Sequence, residues 1–342
     1  MKNWSPSPRR TRQSEMKDLQ ISVAMCTYNG ARFLGEQLES IASQTVKPCE
    51  LIVCDDGSDD ETISILRRFA SSATFPVKLF EREDRRLGCT KNFERAIGLC
   101  IGEVICLADQ DDIWEPEKLM ALGSLFTTPS APGYAFSDAA LIDERGRRLG
   151  KRMWSSVGFH GENGAFEKSN QVPVLLRRAV ATGATMAFRA TLRDIVLPLS
   201  PYFVHDYWIS LVSSCVGSHG VAISKTLIRY RRHSAQQIGP PDPSWLRKID
   251  RARNRDIAVY KNRMLGCDEL LERLHKAARA GYRFPSVHFQ LVSQSLEHAK
   301  RRVLAHSERG PKRIGKVACE VFTGRYSRFS NSWASVVEDL CF

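Results

Sequence analysis

The chain has 342 residues, a formal net charge of +12 and ten cysteines, which is enough length for one large α/β core with an appendage or for two modest domains. Cys26, Cys54, Cys100 and Cys106 lie in apolar runs and no Cys-x-x-Cys pair occurs, so a disulfide scaffold is excluded. The Arg-rich start (1–18) lacks the apolar core of a signal peptide, and the longest apolar stretch (202–223) is interrupted by His205, Asp206 and His219; we expect a protein of the reducing cytoplasm with no membrane span.

From 19 to about 126, short apolar runs alternate with amphipathic stretches, the pattern of βαβ units and a largely parallel sheet. Residues 21–26 form the first predicted strand, and 31–44 place Phe33, Leu34, Leu38, Ile41 and Ala42 on one helical face. A second strand at 51–54 runs into Asp55-Asp56-Gly57-Ser58-Asp59-Asp60, and the helix behind it passes through Ile63, Leu66 and Phe69. After a short strand at 77–80, Phe93, Ala96, Ile97, Cys100 and Ile101 repeat with helical spacing and lead into the apolar run 104–108. That run ends in Asp109-Gln110-Asp111-Asp112. Three carboxylates around one spacer, where a buried strand opens to solvent, favour a divalent cation. Thr27-Tyr28-Asn29, Asp55-Asp56 and 109–112 all follow strands, so they gather at the carboxyl edge of one sheet, where open α/β folds bind ligands.

In the second half, 134–136 and 185–188 read as strands, and Ala181-Thr182-Gly183-Ala184 is a small-residue approach that lets a ligand near the backbone. Val204-His205-Asp206-Tyr207-Trp208 opens an apolar helix, 221–224 is a short strand, and 227–233 closes the unit. Gly239-Pro240-Pro241-Asp242-Pro243 breaks the chain. Beyond it the pattern is helical, with Trp245, Ile249, Ile257, Tyr260 and Met264 on one stripe and Val292, Leu296, Ala299 and Val303 on another. The expected division is a polar tail (1–18), a catalytic unit (19–239) and a basic helical region (240–342).

Over 21–239 the chain resembles the inverting family 2 glycosyltransferases of the GT-A type, and among them the rhamnosyltransferase-like members that build bacterial surface polysaccharides. Ser22-Val23-Ala24-Met25-Cys26-Thr27-Tyr28-Asn29-Gly30 is similar to the opening strand and nucleotide loop, and Cys54-Asp55-Asp56-Gly57-Ser58 to the second nucleotide signature. Ala108-Asp109-Gln110-Asp111-Asp112-Ile113-Trp114 resembles the metal motif of the rhamnosyl subgroup. Gly183-Ala184-Thr185-Met186-Ala187-Phe188 looks like the acceptor segment, His205-Asp206-Tyr207-Trp208 like the base position, and Tyr230-Arg231-Arg232-His233 like the last nucleotide or metal contact. Many family members carry Glu-Asp at the base position, whereas here His205 precedes Asp206.

The resemblance implies an α/β, GT-A type nucleotide-diphospho-sugar transferase fold, a Rossmann-like mixed sheet flanked by helices, with a C-terminal helical extension. It implies a single displacement at the anomeric carbon, with Asp206 as base. Asp111 would be the principal ligand of Mn²⁺ or Mg²⁺, Asp109 would share the metal or reach the ribose, and His233 would be a further ligand. Asp55 would recognise the nucleotide base, Asp56 would support its loop, Thr27, Tyr28 and Asn29 would floor the pocket, and Lys91 would offset diphosphate charge. Trp114, Gly183 and Trp208 would meet the acceptor. The donor would be a nucleoside-diphosphate sugar, dTDP-L-rhamnose before UDP-hexoses, and the acceptor a saccharide or lipid-linked saccharide. The helices of the last region are expected to pack on the catalytic unit; independently of the resemblance, their basic residues, among them Arg247, Lys248, Arg301, Arg302, Lys312 and Arg313, offer a second role in peripheral contact with an anionic membrane.

Blander roles stand beside these: helix capping for Asp55, Asp56 and Asp206, packing for His233, Trp114 and Trp208, and a solvated charge for Lys91. Among other functions, a sugar-1-phosphate nucleotidylyltransferase would want a Gly-rich basic loop after the first strand, where 27–32 offers one glycine and one arginine. The net charge invites a nucleic-acid reading, but acidic strand ends repel a phosphate backbone, so no specific nucleic acid is expected. No Gly-x-Gly-x-x-Gly follows the first strand, as a nicotinamide enzyme would require.

Overall fold

The computed structural model describes residues 19–82, 85–128, 130–159, 161, 166, 167, 171–234, 236 and 257–341. The expected tail (1–18), the break at 239–243, and Trp245, Arg247, Lys248 and Ile249 lie outside the described residues.

The strands are β1 (Ile21–Thr27), β2 (Glu50–Asp55), β3 (Val77–Phe80), β4 (Val104–Ala108), β5 (Ile113–Trp114), β6 (Tyr134–Ile142), β7 (Arg148–Arg152), β8 (Met186–Arg189) and β9 (Gly220–Arg231). They form one mixed sheet in the order β3-β2-β1-β4-β8-β6-β9-β5, with β7 attached to β6. The first four are mutually parallel, and β4 meets β8 antiparallel. The register sets Thr27 beside Asp55 and Met25 beside Ala108, so the three strand ends open at one edge.

Alternation along these strands feeds two cores, as expected of a sheet covered on both faces. Val23, Met25, Leu51 and Val53 pack with Leu34, Leu38 and Ile41 of α1 (Ala31–Ala42) and Leu66 of α2 (Thr62–Ser72). Ala24, Ile52, Ile105 and Leu107 pack with Phe93, Ala96 and Ile97 of α3 (Cys89–Leu99) on the other side. Helix α3 stops before the expected Cys100 and Ile101, and Ile101 is 72% exposed. After α4 (Lys118–Gly123), α5 (Met153–Ser156), α6 (Gln171–Arg177) and α7 (Arg193–Val196), α8 (His205–Cys215) brings Trp208, Leu211 and Val212 into the same second core.

Two predicted strands differ in extent. Thr185 lies in a 3-10 turn, Gly183–Thr185, and β8 starts only at Met186. The strand expected at 221–224 continues through the closing segment as far as Arg231 in one strand, β9, because β6 runs beside it through register shifts near Asp138 that absorb the irregularity.

The last region comprises α9 (Ile257–Arg279), α10 (Ser286–His306), α11 (Pro311–Phe322), α12 (Arg325–Phe329) and α13 (Trp333–Cys341). It does not form a core of its own alone: Leu270, Leu274, Ala277, Val292 and Phe329 join the sheet's second core. Arg273 of α9 donates to the carbonyls of Ile195 (2.9 Å), Leu197 (2.8 Å) and Pro198 (3.0 Å), which satisfies the open end of α7. Arg302, expected to face lipid, is instead buried on Asp339 through two 2.6 Å bonds, Arg301 pairs with Glu297, and Arg313 donates to the Asp339 carbonyl. All three are engaged by partners within the helical region.

Candidate active site

The end of β1 and the loop after β2 are tied together by short side chains. Asp55, 1% exposed, accepts from the Thr27 hydroxyl (2.7 Å), the Ser58 hydroxyl (2.6 Å) and the backbone N–H groups of Gly57 (3.0 Å) and Ser58 (2.7 Å). All four acceptor positions of the carboxylate are used within the loop, so Asp55 shapes it. Asp55 does not cap α2, whose first N–H, that of Thr62, is taken by Asp60 Oδ1 at 2.9 Å. Asp56 accepts from the N–H groups of Leu87 (2.8 Å) and Gly88 (2.9 Å), which fixes the turn that starts α3. Gly88 has φ +80°, a conformation open to glycine. Asn29, also at positive φ (47°), donates its N–H to the Ser58 hydroxyl oxygen (2.9 Å) and accepts at Oδ1 from Asp59 N–H (3.0 Å).

The acidic turn after β4 joins this edge through Gln110. Its amide accepts from Tyr28 N–H (2.8 Å) and donates to Tyr28 O (3.0 Å), a two-point bond that locks the β1 loop to the turn. Ligand oxygens of Asp109, Asp111 and Asp112 lie within 4.8 Å of one another. Burial, then Asp111 and Asp206, push the Asp109 carboxyl up to about 7. Burial followed by Asp111 and Asp109 raises Asp112 as well, and its Oδ2 is buried without a partner among the described residues. An all-oxygen, mutually repelling set with an orphaned carboxylate oxygen fits a hard divalent cation.

Behind the turn stands Arg231, fully buried at the end of β9. Its N–H donates to Asp112 Oδ1 (3.0 Å), Nε to Asp111 O (2.8 Å), Nη1 to Glu144 O (3.1 Å) and Nη2 to Glu36 Oε2 (2.8 Å). The guanidinium also lies 4.7 Å from the Phe33 ring centroid. Two residues on, His233 Nε2 is 2.7 Å from Asp111 Oδ2, and its ring rests on Phe33 at 4.8 Å. The structure thus brings Asp109, Asp111 and His233 together and adds Asp112.

Asp206 approaches from the other side, at the first turn of α8. Its Oδ2 accepts from Gly183 N–H (2.7 Å) and Oδ1 from Tyr207 N–H (2.6 Å), and α8 has no side-chain cap. Gly183 therefore acts through its backbone. A Cβ there would sit 2.6 Å from His205 Nε2, whose imidazole is buried and stacked on Phe93 at 4.2 Å. Trp114 and Trp208, expected to stack on an acceptor, are 2% and 0% exposed; the Trp208 indole donates to Val196 O (2.8 Å), and the Trp114 ring covers the buried Lys118 ammonium at 3.4 Å. Both are core side chains, because no face is left for a sugar. Lys91 is paired with Glu94 at 2.9 Å. Arg86 lies at this edge, 3.3 Å from the Tyr28 ring centroid, with Asp56 3.7 Å from its Nε.

Residues 22–188 match Glycosyl transferase family 2. The dTDP-rhamnosyl transferase RfbG of Shigella flexneri is 36% identical over 224 residues, covering 63% of this chain and 73% of that protein. An uncharacterized glycosyltransferase of Nostoc sp. is 30% identical over 116 residues, covering 34% of this chain and 35% of that protein. The chain spans about a third of the length of several such relatives. Among solved structures, Staphylococcus aureus TarS 1-349 in complex with UDP-GlcNAc superposes with a TM-score of 0.55 at 17% identity, covering 82% of this chain and 72% of that one. The mixed sheet with its helical extension is accordingly of the GT-A kind.

Proposed function

The chain belongs to glycosyl transferase family 2, and from that premise we propose that it is an inverting, metal-dependent transferase of L-rhamnose from dTDP-L-rhamnose to a saccharide or lipid-linked saccharide of a cell-surface polysaccharide. The observation that carries this reading is the convergence of Asp206 on the acidic turn: it is close enough to help raise the Asp109 carboxyl. A base and a diphosphate-handling centre on one sheet edge are what a single displacement at an anomeric carbon needs. The rhamnosyl donor is supported by the likeness to RfbG.

Asp206, its carboxylate aimed by Gly183 N–H, takes the proton of the acceptor hydroxyl as the new bond forms. A base of ordinary strength suffices, because the hydroxyl acidifies only as it attacks. Asp109, Asp111 and Asp112 would hold Mn²⁺ or Mg²⁺, with His233 steering Asp111; such a cation neutralises the donor's diphosphate. Thr27, Tyr28 and Asn29 frame the nucleotide pocket, which Asp55 and Asp56 keep in shape. Arg86, stacked on Tyr28, contributes the positive charge expected from Lys91.

Calorimetric titration with dTDP, UDP and GDP, each with and without Mn²⁺, tests this. dTDP should bind at least about tenfold more tightly with Mn²⁺ than without. Preference for UDP would replace rhamnose by a UDP-linked hexose, and no binding of any diphosphate would end the transferase reading.

A further inference from the structure

Helices α11 and α13 carry their polarity the wrong way round for solvent. On α13 the buried positions are Ser335, Val336 and Asp339, whereas Trp333, Val337 and Leu340, spaced i, i+4 and i+7, are 69%, 52% and 40% exposed. On α11, Val317 and Glu320 face inward, while Ile314 and Phe322, on one face with Ala318 between them, are 58% and 90% exposed. The helices are antiparallel neighbours: Arg313 Nε meets Asp339 O at 2.5 Å, and Val317 and Val336 share a small core. Among the described residues of both helices, Lys312 is the one exposed charge. A helix facing water turns its apolar stripe inward, so this paired surface is built for a partner.

We infer that the α11–α13 face docks on an anionic lipid surface. Exposed cations accompany it: Arg309 just before α11, Lys312 in its first turn, and Arg328 in α12, the short helix that packs against both α11 and α13. The nearby carboxylates of Glu308 and Glu320 are taken by Lys316 and Arg325, so the exposed cations keep their charge for an outside anion. Large rings such as Phe322 and Trp333 suit the boundary between headgroups and acyl chains, with cations at headgroup level. A second copy is the poorer occupant, because a two-fold pairing of this face sets the same cations against each other. The contact surface differs from that expected of Arg301, Arg302 and Arg313: Arg301 and Arg302 pair with Glu297 and Asp339, and Arg313 is bonded to the Asp339 carbonyl.

The test is co-sedimentation of the full chain with vesicles of phosphatidylcholine alone and of phosphatidylcholine with phosphatidylglycerol, at physiological salt. Pelleting with the anionic vesicles and its reduction by at least about tenfold in Phe322→Ser/Trp333→Ser are expected. Both positions are exposed, so thermal unfolding should be unchanged, and nucleotide calorimetry on the same variant separates this inference from the transferase reading. A wild-type chain that stays in the supernatant, or a variant that pellets equally well, overturns it. So does a dimer in sedimentation velocity that the variant dissolves while vesicles bind neither protein.

Discussion

Asp111 is the carboxylate on which the acidic turn converges: its side chain meets His233 and its backbone carbonyl meets Arg231. Asp111→Ala should abolish Mn²⁺-enhanced nucleotide binding and leave the far-UV circular dichroism unchanged; persistence of the metal effect would remove Asp111 from the site. Asp206→Asn should lower kcat by about 10²–10⁴ with little change in donor affinity, the loss typical of a removed general base. A variant with near-normal kcat would mean that the proton leaves by another route. At this scale the sequence exposed the polar groups well, because Thr27 and Asp55 end strands, Asp109 and Asp111 follow one and Asp206 opens a helix. It concealed their partners. Gln110 meets Tyr28 across 82 positions and Arg231 meets Asp111 across 120, and no local spacing encodes such pairs.

Strand β9 carries Arg231 from the far side of the sheet to the back of the acidic turn, where one guanidinium links α1, the turn and the β6–β7 connection. Lysine keeps the charge but not the planar fork. Arg231→Lys should therefore weaken Mn²⁺-dependent nucleotide binding by about tenfold while the protein still folds, each lost charge-assisted bond being worth roughly 1.5–3 kcal/mol before the lysine compensates. Unchanged binding would show that the turn holds its shape without the fork. The parallel strands and their helices were legible because apolar runs of five or six residues bounded by turns leave few alternatives. β5, with two residues, and β7, exposed along its length, carry no such signal. The tryptophans misled for a related reason: an aromatic side chain beside a strand end reads the same whether it faces a cleft or a core, and burial decides.

Across the whole molecule, the sheet edge concentrates negative charge that the fold alone does not neutralise. Because burial and its neighbours raise Asp109 from 3.8 to about 7, its contribution to stability is fully present below the unfolded value and is lost as pH rises through the folded one. The metal-free protein should thus lose stability between about pH 4 and pH 7, and Mn²⁺ should raise Tm more at about pH 8 than at about pH 6. Equal shifts at both pH values would show that the carboxylates are already ionised without the cation. That the last helices pack on the catalytic unit was expected, and α9, α10 and α12 do enter the sheet's own core; which side chains they meet there was not legible, since helical stripes mark which faces are buried and not against what.

The amide of Gln110 also bears on the order of events. Bonded to both the N–H and the C=O of Tyr28, it leaves the β1 loop and the acidic turn no independent positions. Whatever settles one settles the other, and linkage requires that the two occupants strengthen each other by the same factor. Turnover should then show synergism between nucleotide and cation, and the spent diphosphate should inhibit most strongly when the cation is abundant. Replacing Gln110 by alanine, which removes both bonds and leaves every carboxylate in place, would weaken that synergism.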